Sequence, residues 1–196
     1  TGNVYGMVPH DSGGSVETDT PRPSGEYAMT ALGRERMYEY FSIRDGIPIA
    51  LLRLNYATEL RYGVLVDLAQ QLIAEQPVYI SMIYVNVIWL ADANAMALRA
   101  MAHTQSPAKF LNVVGPDVIA TREVCERLAA ALGTTPRFVG THHDQALLNN
   151  GQCGFQLLGQ PSVNLEQMIG WTAQWIARKG ETLNKPTHFQ TRSGEF

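Results

Sequence analysis

Cysteine is scarce in this sequence. Only Cys125 and Cys153 occur among 196 residues, and they do not form a C-x-x-C pair. Two isolated cysteines exclude a disulfide framework of the kind that staples small secreted domains, and they also exclude a thiolate metal site. This usage is typical of a reducing compartment, so the sequence predicts a cytoplasmic protein.

Charge and long apolar runs are also limited. Charged residues make up 17% of the chain, the formal net charge is −3, and basic residues form no cluster. The sequence therefore has no electrostatic footprint for nucleic acid. The apolar runs are much shorter than the roughly 20 residues that a membrane span needs, so no membrane partner is expected. The hydrophobic content of 45% is that of an ordinary globular domain.

The chain opens in an unusual way. Position 1 is Thr, and residues 1–6 read TGNVYG, a pattern typical of the end of a strand followed by a glycine turn. We interpret this start as a truncation at the N-terminus. Residues 7–24 are rich in Pro and Gly and too long for a simple connector, which predicts a lid or binding loop.

From there, apolar patterns predict helices and strands in alternation. Three- and four-residue steps predict helices, and short continuous apolar runs predict strands buried on both faces. The predicted helices cover residues 25–43, 64–74, 92–103, 121–132 and 165–178. The predicted strands cover residues 49–54, 85–89, 110–114 and 138–139. Strands that alternate with helices indicate an α/β fold with parallel strands.

Ligands of open α/β sheets bind beyond the carboxyl ends of the strands. Two segments occupy such positions, namely residues 1–6 with their long loop and residues 55–61 after a predicted strand. Tyr27 joins them from the first turn of the helix that the loop enters. The sequence therefore predicts that these three parts form one site.

Four segments together resemble the extended short-chain dehydrogenase/reductase superfamily, specifically the NAD-dependent epimerase/dehydratase group. The segment TGNVYG is similar to the family's Ser/Thr-x-x-Val-Tyr-Gly segment; Tyr27 follows Thr1 by 26 residues, and Glu35 follows Tyr27 by eight. Further similar segments are LLRLNYATELRYG, VNVIWLADANAMAL and FLNVVGPDVIATREVCERLAAALG. The resemblance covers most of residues 1–178.

The resemblance implies a particular fold and activity. The expected fold is the C-terminal part of a Rossmann-type parallel sheet with a smaller substrate-binding lobe. Residues 1–60 would complete the Rossmann-type domain and carry the catalytic helix, residues 61–180 would form the mixed lobe and the last sheet elements, and residues 181–196 a polar tail. The implied activity is that of an oxidoreductase that uses NAD or NADP on a nucleotide sugar or similar small hydroxylated substrate.

The same resemblance assigns roles to individual residues. Thr1 and Tyr27 are the expected catalytic pair, and Tyr27, Leu54 and Asn55 are the expected cofactor contacts. Thr1, His10 and Arg61 are the expected substrate contacts, although a solvated loop histidine and a surface arginine remain alternatives for the last two. Asn55 has the alternative of simply capping the strand.

Two departures from the family pattern leave a second function open. Ala31 stands where the family has a catalytic Lys, and no glycine-rich dinucleotide fingerprint is present. A non-catalytic dinucleotide-binding regulator or scaffold of the same fold is therefore the alternative. A truncated sheet would also leave apolar surface uncovered, which predicts association into a homo-oligomer.

A metal site is not predicted. His142, His143 and Asp144 are adjacent, but neighbouring histidines point in different directions and no third ligand is evident.

Overall fold

A computed structural model describes residues 1–141 and 143–194 of the chain. Six α-helices and ten short strands are present in this part of the chain. The helices are α1 (Gly25–Asp45), α2 (Val64–Ile73), α3 (Leu90–Ala100), α4 (Thr121–Leu132), α5 (Gln152–Leu158) and α6 (Leu165–Ala177). The strands are β1 (Val8–Pro9), β2 (Ala50–Leu54), β3 (Ala57–Thr58), β4 (Val78–Tyr79), β5 (Tyr84–Val85), β6 (Ile88–Trp89), β7 (Lys109–Val113), β8 (Ile119–Ala120), β9 (Phe138–Val139) and β10 (Gln145–Ala146).

The strands pair two by two. The longest pair joins β2 and β7 in parallel over five residues, from Ala50 opposite Lys109 to Leu54 opposite Val113. Two further pairs, β3 with β6 and β4 with β9, are also parallel. The pairs β1 with β10 and β5 with β8 are antiparallel. The predicted α/β class with parallel strand pairs is confirmed.

Two apolar clusters hold these elements together. The larger cluster lies where α2, α4 and α6 pack against one another, with Leu65, Leu68 and Leu128 fully buried. The smaller cluster lies between β7 and the helices α3 and α5, with Leu111 at its centre. Each helix buries one stripe of its surface, so the 3.6-residue periodicity of the sequence and the position of the core agree.

Local signals fix the ends of several helices. Asn164 caps α6: its side chain accepts from the backbone of Gln167, whose own side chain accepts from the backbone of Asn164. This reciprocal capping box satisfies two donors at the helix start. Helix α1 ends at Gly46, which adopts the left-handed conformation with φ 66° that glycine tolerates best.

Some local predictions are wrong. Residues 1–6 are not the end of a strand, because Gly2–Val4 form a 3-10 helix capped by the side chain of Thr1. The predicted strand over residues 85–89 is divided into β5 and β6, with Asn86 and Val87 between them.

Two polar residues near helix starts, Asp92 and Thr121, do not act as N-caps. Asp92 lies in the first turn of α3, and its carboxylate accepts from Ser162 Oγ and the backbone N–H of Val163, so it ties α3 to the segment before α6. The residue that caps α4 is Ala120, and the hydroxyl of Thr121 donates to the carbonyl oxygen of Met82. In both cases the polar side chain bonds to a residue distant in sequence instead of to the start of its own helix.

Among the described residues, no helix is long and apolar enough to cross a membrane.

Candidate active site

A pocket of about 570 Å³ lies at the carboxyl end of β2. Three of its walls are the first seven residues, the first turn of α1, and the segment that continues β2 into β3. The fourth wall is the C-terminal segment, residues 185–194. The pocket therefore occupies the position that a parallel α/β sheet normally offers to ligands.

Four residues singled out from the sequence meet in this pocket. Thr1, Tyr27, Leu54 and Asn55 all line it. Tyr27 is 51% exposed, so its ring is open to a ligand. The structure thus brings together the three sequence segments that were expected to form one site, while the catalytic and cofactor roles of these residues stay predictions.

His10 and Arg61 lie outside the lining of this pocket. The His10 ring stacks on Tyr84 with ring centroids 4.6 Å apart, and its Nδ1 is 3.3 Å from the carbonyl oxygen of Asp144. Arg61 forms an ion pair with Glu59 at 3.1 Å. Substrate contact by these two side chains stays a prediction, and their positions do not favour it.

Ala31 is directed away from solvent. It lies one turn after Tyr27 on α1, is almost fully buried, and packs in a small cluster with Val4 and Tyr5. The methyl group supplies no positive charge and no hydrogen-bond donor. The contacts expected of a lysine at this position are therefore missing from the site.

A buried ion pair supports the helix that carries Tyr27. Arg53 of β2 and Glu35 of α1 form a salt bridge at 2.8 Å, with side chains only 4% and 10% exposed. The Arg53 guanidinium also donates to the hydroxyl of Tyr5 and lies between the rings of Tyr5 and Phe110, about equally far from each at 4.6 and 4.5 Å. Burial raises the pKa of Tyr5, so its phenol remains neutral and donates onward to Asn112 Oδ1. These bonds fix α1 relative to β2 and thereby the position of Tyr27 in the pocket that Asn55 also lines.

Part of the predicted polar tail, residues 185–194, forms a wall of the pocket. The backbone N–H of Leu183 donates to the backbone carbonyl of Arg61. Two serine hydroxyls hold the segment further along: Ser81 donates to the carbonyl of Gln190, and Ser24 donates to the carbonyl of Ser193. Phe189 anchors the segment, because its ring is buried in the larger core cluster. A phenylalanine within a mostly polar stretch, Phe189, is the signal in the sequence that could have revealed this docking.

Asp67 of α2 holds the same segment. Its Oδ2 accepts hydrogen bonds from the backbone N–H and the hydroxyl of Thr187, at 2.8 and 2.6 Å. Burial raises the pKa of Asp67 above its usual value of 3.8, and the hydrogen bonds from Thr187 act in the opposite direction. A raised folded-state pKa means that the fold favours the protonated form of Asp67. The stability that comes from this preference is complete below pH 3.8 and is lost as the pH rises through the raised value, while the hydrogen bonds from Thr187 remain.

Replacement of Asp67 with Ala is expected to release the C-terminal segment. Both donors of Thr187 lose their acceptor, and hydrogen bonds to a charged group contribute about 1.5–3 kcal/mol each. Amide hydrogen exchange in peptides that cover residues 183–192 should become at least about 10-fold faster. Asp67→Asn is the matched control, because it keeps an acceptor oxygen and removes the buried charge. At neutral pH this control should keep slow exchange and be at least as stable as the original chain; equal exchange in all three proteins would contradict the assignment.

The charge of the pocket comes from the C-terminal segment. Lys185, His188 and Arg192 line the pocket, whereas none of the described lining residues is Asp or Glu. Arg192 is held in place by donation to the carbonyls of Ser81 and Gln145. The pocket therefore favours a ligand with a negatively charged group.

Two further tyrosines line the pocket. Burial raises the pKa of Tyr56, and Arg192 opposes this only in part. Burial also raises the pKa of Tyr62, with additional contributions from Asp67 and Tyr27. Both phenols remain protonated at neutral pH, so they offer hydroxyl groups rather than anions to a ligand.

The adjacent His142, His143 and Asp144 are only partly described, because His142 lies outside the described residues. Among the residues that the structure describes, no group of three His, Cys, Asp or Glu side chains is arranged to hold a metal ion. The Cys125 thiol is buried, and burial raises its pKa to about 12. That thiol is therefore inert as a nucleophile or metal ligand.

Comparison with known proteins identifies the fold. Neither a protein-family profile nor a curated protein sequence matches the chain. Among solved structures, it is similar to dTDP-glucose 4,6-dehydratase from Bacillus anthracis in complex with NAD, with a TM-score of 0.77 and 16% identity over 91% of this chain and 60% of that chain. It is also similar to UDP-glucose 4-epimerase from Thermus thermophilus in complex with NAD (TM-score 0.73, 21% identity, 89% of this chain and 61% of that chain).

A third neighbour is UDP-glucuronic acid 4-epimerase from Bacillus cereus in complex with NAD, with a TM-score of 0.76 and 20% identity over 93% of this chain and 60% of that chain. The chain therefore shares the Rossmann-type fold of these NAD-bound dehydratase and epimerase structures. It spans about 60% of the length of the structures that it matches.

Proposed function

We propose that this chain provides the substrate-binding part of an NAD(P)-dependent oxidoreductase of the epimerase/dehydratase type. The proposed substrate is a nucleotide sugar or a similar small hydroxylated compound. The observation that carries the proposal is the pocket itself. It combines Thr1, Tyr27 and Asn55 with the basic residues of the C-terminal segment, and none of its described lining residues is acidic.

This combination suits the two halves of a nucleotide sugar. A diphosphate requires positive charge, which Lys185 and Arg192 supply. A sugar requires hydrogen-bonding groups at its hydroxyls, which the Thr1 hydroxyl, the Tyr27 phenol and the Asn55 amide supply. The names of the structural neighbours include UDP-sugar and dTDP-sugar enzymes, which supports the same substrate class.

Thr1 and Tyr27 are proposed to act on one substrate hydroxyl. The Thr1 side chain would orient the hydroxyl, and the phenol of Tyr27 would exchange a proton with it. Tyr27 lies in the first turn of α1, where the helix dipole favours developing negative charge.

NAD or NADP is the proposed cofactor, and it would supply hydride transfer. Tyr27 and Leu54 line the pocket and suit one end of a dinucleotide. Ala31 offers no contact to a ribose hydroxyl, and the sequence contains no G-x-G-x-x-G turn for the pyrophosphate. The described residues therefore fit the cofactor at one end only.

One observation favours a second candidate function. Ala31 packs in a cluster with Val4 and Tyr5. This turn of α1 therefore presents no lysine to the pocket, whereas the family that the sequence resembles has its catalytic lysine at this position. A protein of this fold that binds its ligand without chemistry, as a regulator or scaffold, accounts for that replacement. Ligand binding without turnover would support this alternative.

Location and assembly complete the proposal. Two free cysteines suit a reducing compartment, so we place the protein in the cytoplasm. Self-association has a candidate surface on the outer face of α1, where the side chains of Met29, Met37 and Tyr40 are more than half exposed.

The binding part of the proposal is tested with UDP-glucose. Calorimetric titration should show saturable binding of UDP-glucose and weaker binding of glucose alone, because glucose lacks the charged group. Lys185→Gln should weaken UDP-glucose binding by about 3- to 10-fold, the effect of losing one partly solvated charge contact.

Lys179→Gln is the matched control, because it removes the same charge at a lysine that does not line the pocket. Its affinity for UDP-glucose should remain unchanged. No saturable binding to the original chain, or equal losses in both variants, would contradict a nucleotide-sugar site at this place.

A further inference from the structure

Three asparagines form a buried hydrogen-bonded chain behind the pocket. Asn55, Asn86 and Asn149 are 2%, 1% and 2% exposed. Nδ2 of Asn55 donates to Oδ1 of Asn86 at 3.1 Å, and Nδ2 of Asn86 donates to the backbone carbonyl of Asn149 at 2.7 Å. Asn86 thus connects the pocket residue Asn55 to the backbone of the neighbouring segment.

Backbone carbonyls fix the direction of this chain. A carbonyl oxygen only accepts hydrogen bonds, so the group of Asn86 that faces Asn149 must be its NH₂. The oxygen of Asn86 then faces Asn55, which must present its own NH₂ in return. A second carbonyl, that of Leu147, accepts from the same Nδ2 of Asn55 at 3.3 Å and requires the same orientation. The two ends of the amide of Asn55 are therefore not interchangeable.

This orientation decides which atom of Asn55 a ligand meets. Both hydrogen bonds of the side chain leave from Nδ2, so neither involves Oδ1. Some polar side-chain atoms of the described residues are shielded from solvent and have no hydrogen-bond partner. Asn55 Oδ1 is not one of them. Because Asn55 lines the pocket, Oδ1 is the polar atom that its amide offers to a ligand.

We propose that Asn86 is a positioning residue that holds Asn55 with its acceptor oxygen toward the pocket, and that the site thereby selects ligands with a hydroxyl or N–H donor at this point. The proposal rests on the proposed function and deepens it. A phosphate oxygen opposite Oδ1 would bring two acceptors together, so the anionic group of the ligand lies elsewhere in the pocket, toward Lys185, His188 and Arg192. A hydroxyl-bearing part of the ligand lies against Asn55.

The orientation of Asn55 is tested first without any ligand. In a ¹⁵N-labelled chain, the side-chain NH₂ signal of Asn55 is assigned by its loss in Asn55→Leu. Both of its hydrogens should exchange at least about 10-fold more slowly than those of Asn94, an exposed asparagine on α3, because both are buried and bonded. Fast exchange of both hydrogens would mean that the NH₂ faces the pocket, and this result would overturn the proposal.

The selection of ligands is tested with two probes, UDP-glucose and inorganic sulfate. Sulfate has negative charge and no donor at neutral pH. Asn86→Leu removes the acceptor that faces Asn55, and it should weaken UDP-glucose binding by about 10-fold while changing sulfate binding by less than about twofold. Asn86→Asp keeps an acceptor for Asn55 and, with its buried carboxyl protonated, a donor for the Asn149 carbonyl, so it should bind UDP-glucose within about threefold of the original chain. Near-UV circular dichroism verifies that each variant is folded.

The outcomes separate this inference from the proposed function. Parallel losses for both probes in Asn86→Leu indicate a structural role only and overturn the proposal, as does unchanged UDP-glucose binding. If the original chain binds neither probe, the proposed function is wrong, and the ligand-selection part of the proposal is wrong with it. The exchange measurement then decides by itself whether Asn86 orients Asn55. If Asn86→Asp does not fold, Asn86→Leu and the exchange measurement still decide.

Discussion

Replacement of Glu35 with Ala is expected to lower the free energy of unfolding by about 3–5 kcal/mol. The carboxylate lies in a buried ion pair with Arg53, and both side chains are almost completely shielded from water. Without Glu35, the guanidinium remains buried between the rings of Tyr5 and Phe110 with no compensating charge. An uncompensated buried charge is one of the most destabilising defects in a folded protein. Denaturant unfolding followed by circular dichroism measures the loss.

Glu39→Ala is the matched control for this variant. Glu39 lies on the same helix and pairs with Arg36 at 2.8 Å, but both side chains are more exposed than the buried pair. Its removal should cost less than about 1 kcal/mol. The double variant Glu35→Leu with Arg53→Met should recover much of the loss, because apolar groups of similar volume often replace a buried ion pair without penalty. Equal effects of Glu35→Ala and Glu39→Ala would contradict the importance of the buried pair.

Under the proposed function, replacement of Tyr27 with Phe is expected to lower turnover of a nucleotide-sugar substrate by about 10²- to 10⁴-fold, the usual contribution of a general acid–base group. The substitution removes the phenolic oxygen and leaves the ring in the pocket. Steady-state kinetics with NAD or NADP supplied measures the change, and the KM should change far less than kcat because binding contacts elsewhere in the pocket remain.

Tyr62→Phe is the matched control for Tyr27→Phe, because Tyr62 lines the same pocket and loses the same atom. Its kcat should fall by much less, because the proposal assigns the proton transfer to Tyr27 and only a hydrogen bond to Tyr62. A Tyr27→Phe variant that retains full turnover would exclude Tyr27 as the proton-transferring group. Binding of UDP-glucose without any turnover in the original chain would favour the regulator or scaffold.

The sequence predicted those residues of the candidate site that lie close to the ends of strands. Thr1, Tyr27 and Asn55 belong to segments that were singled out because loops at the carboxyl ends of parallel strands converge, and Leu54 was assigned through the family resemblance. All four line one pocket. His10 and Arg61 occupy similar positions in the sequence, yet their side chains contact Tyr84 and Glu59 instead. Sequence position indicates which loop a residue occupies, whereas the direction of its side chain depends on neighbours that are distant in sequence.

The sequence by itself determined the class of fold and the order of its elements. Apolar periodicity is a local property, so five of the six helices and the strands β2 and β7 were predictable from a few residues at a time, whereas α5 and the pairing of β2 with β7 were not predicted. Only the tertiary structure decided how the C-terminal segment closes the pocket, how Arg53 pairs with Glu35, and how Asn86 orients Asn55. These contacts join residues 18 to more than 100 positions apart. Buried polar groups must find a partner in the folded chain, and no local pattern specifies which partner that will be.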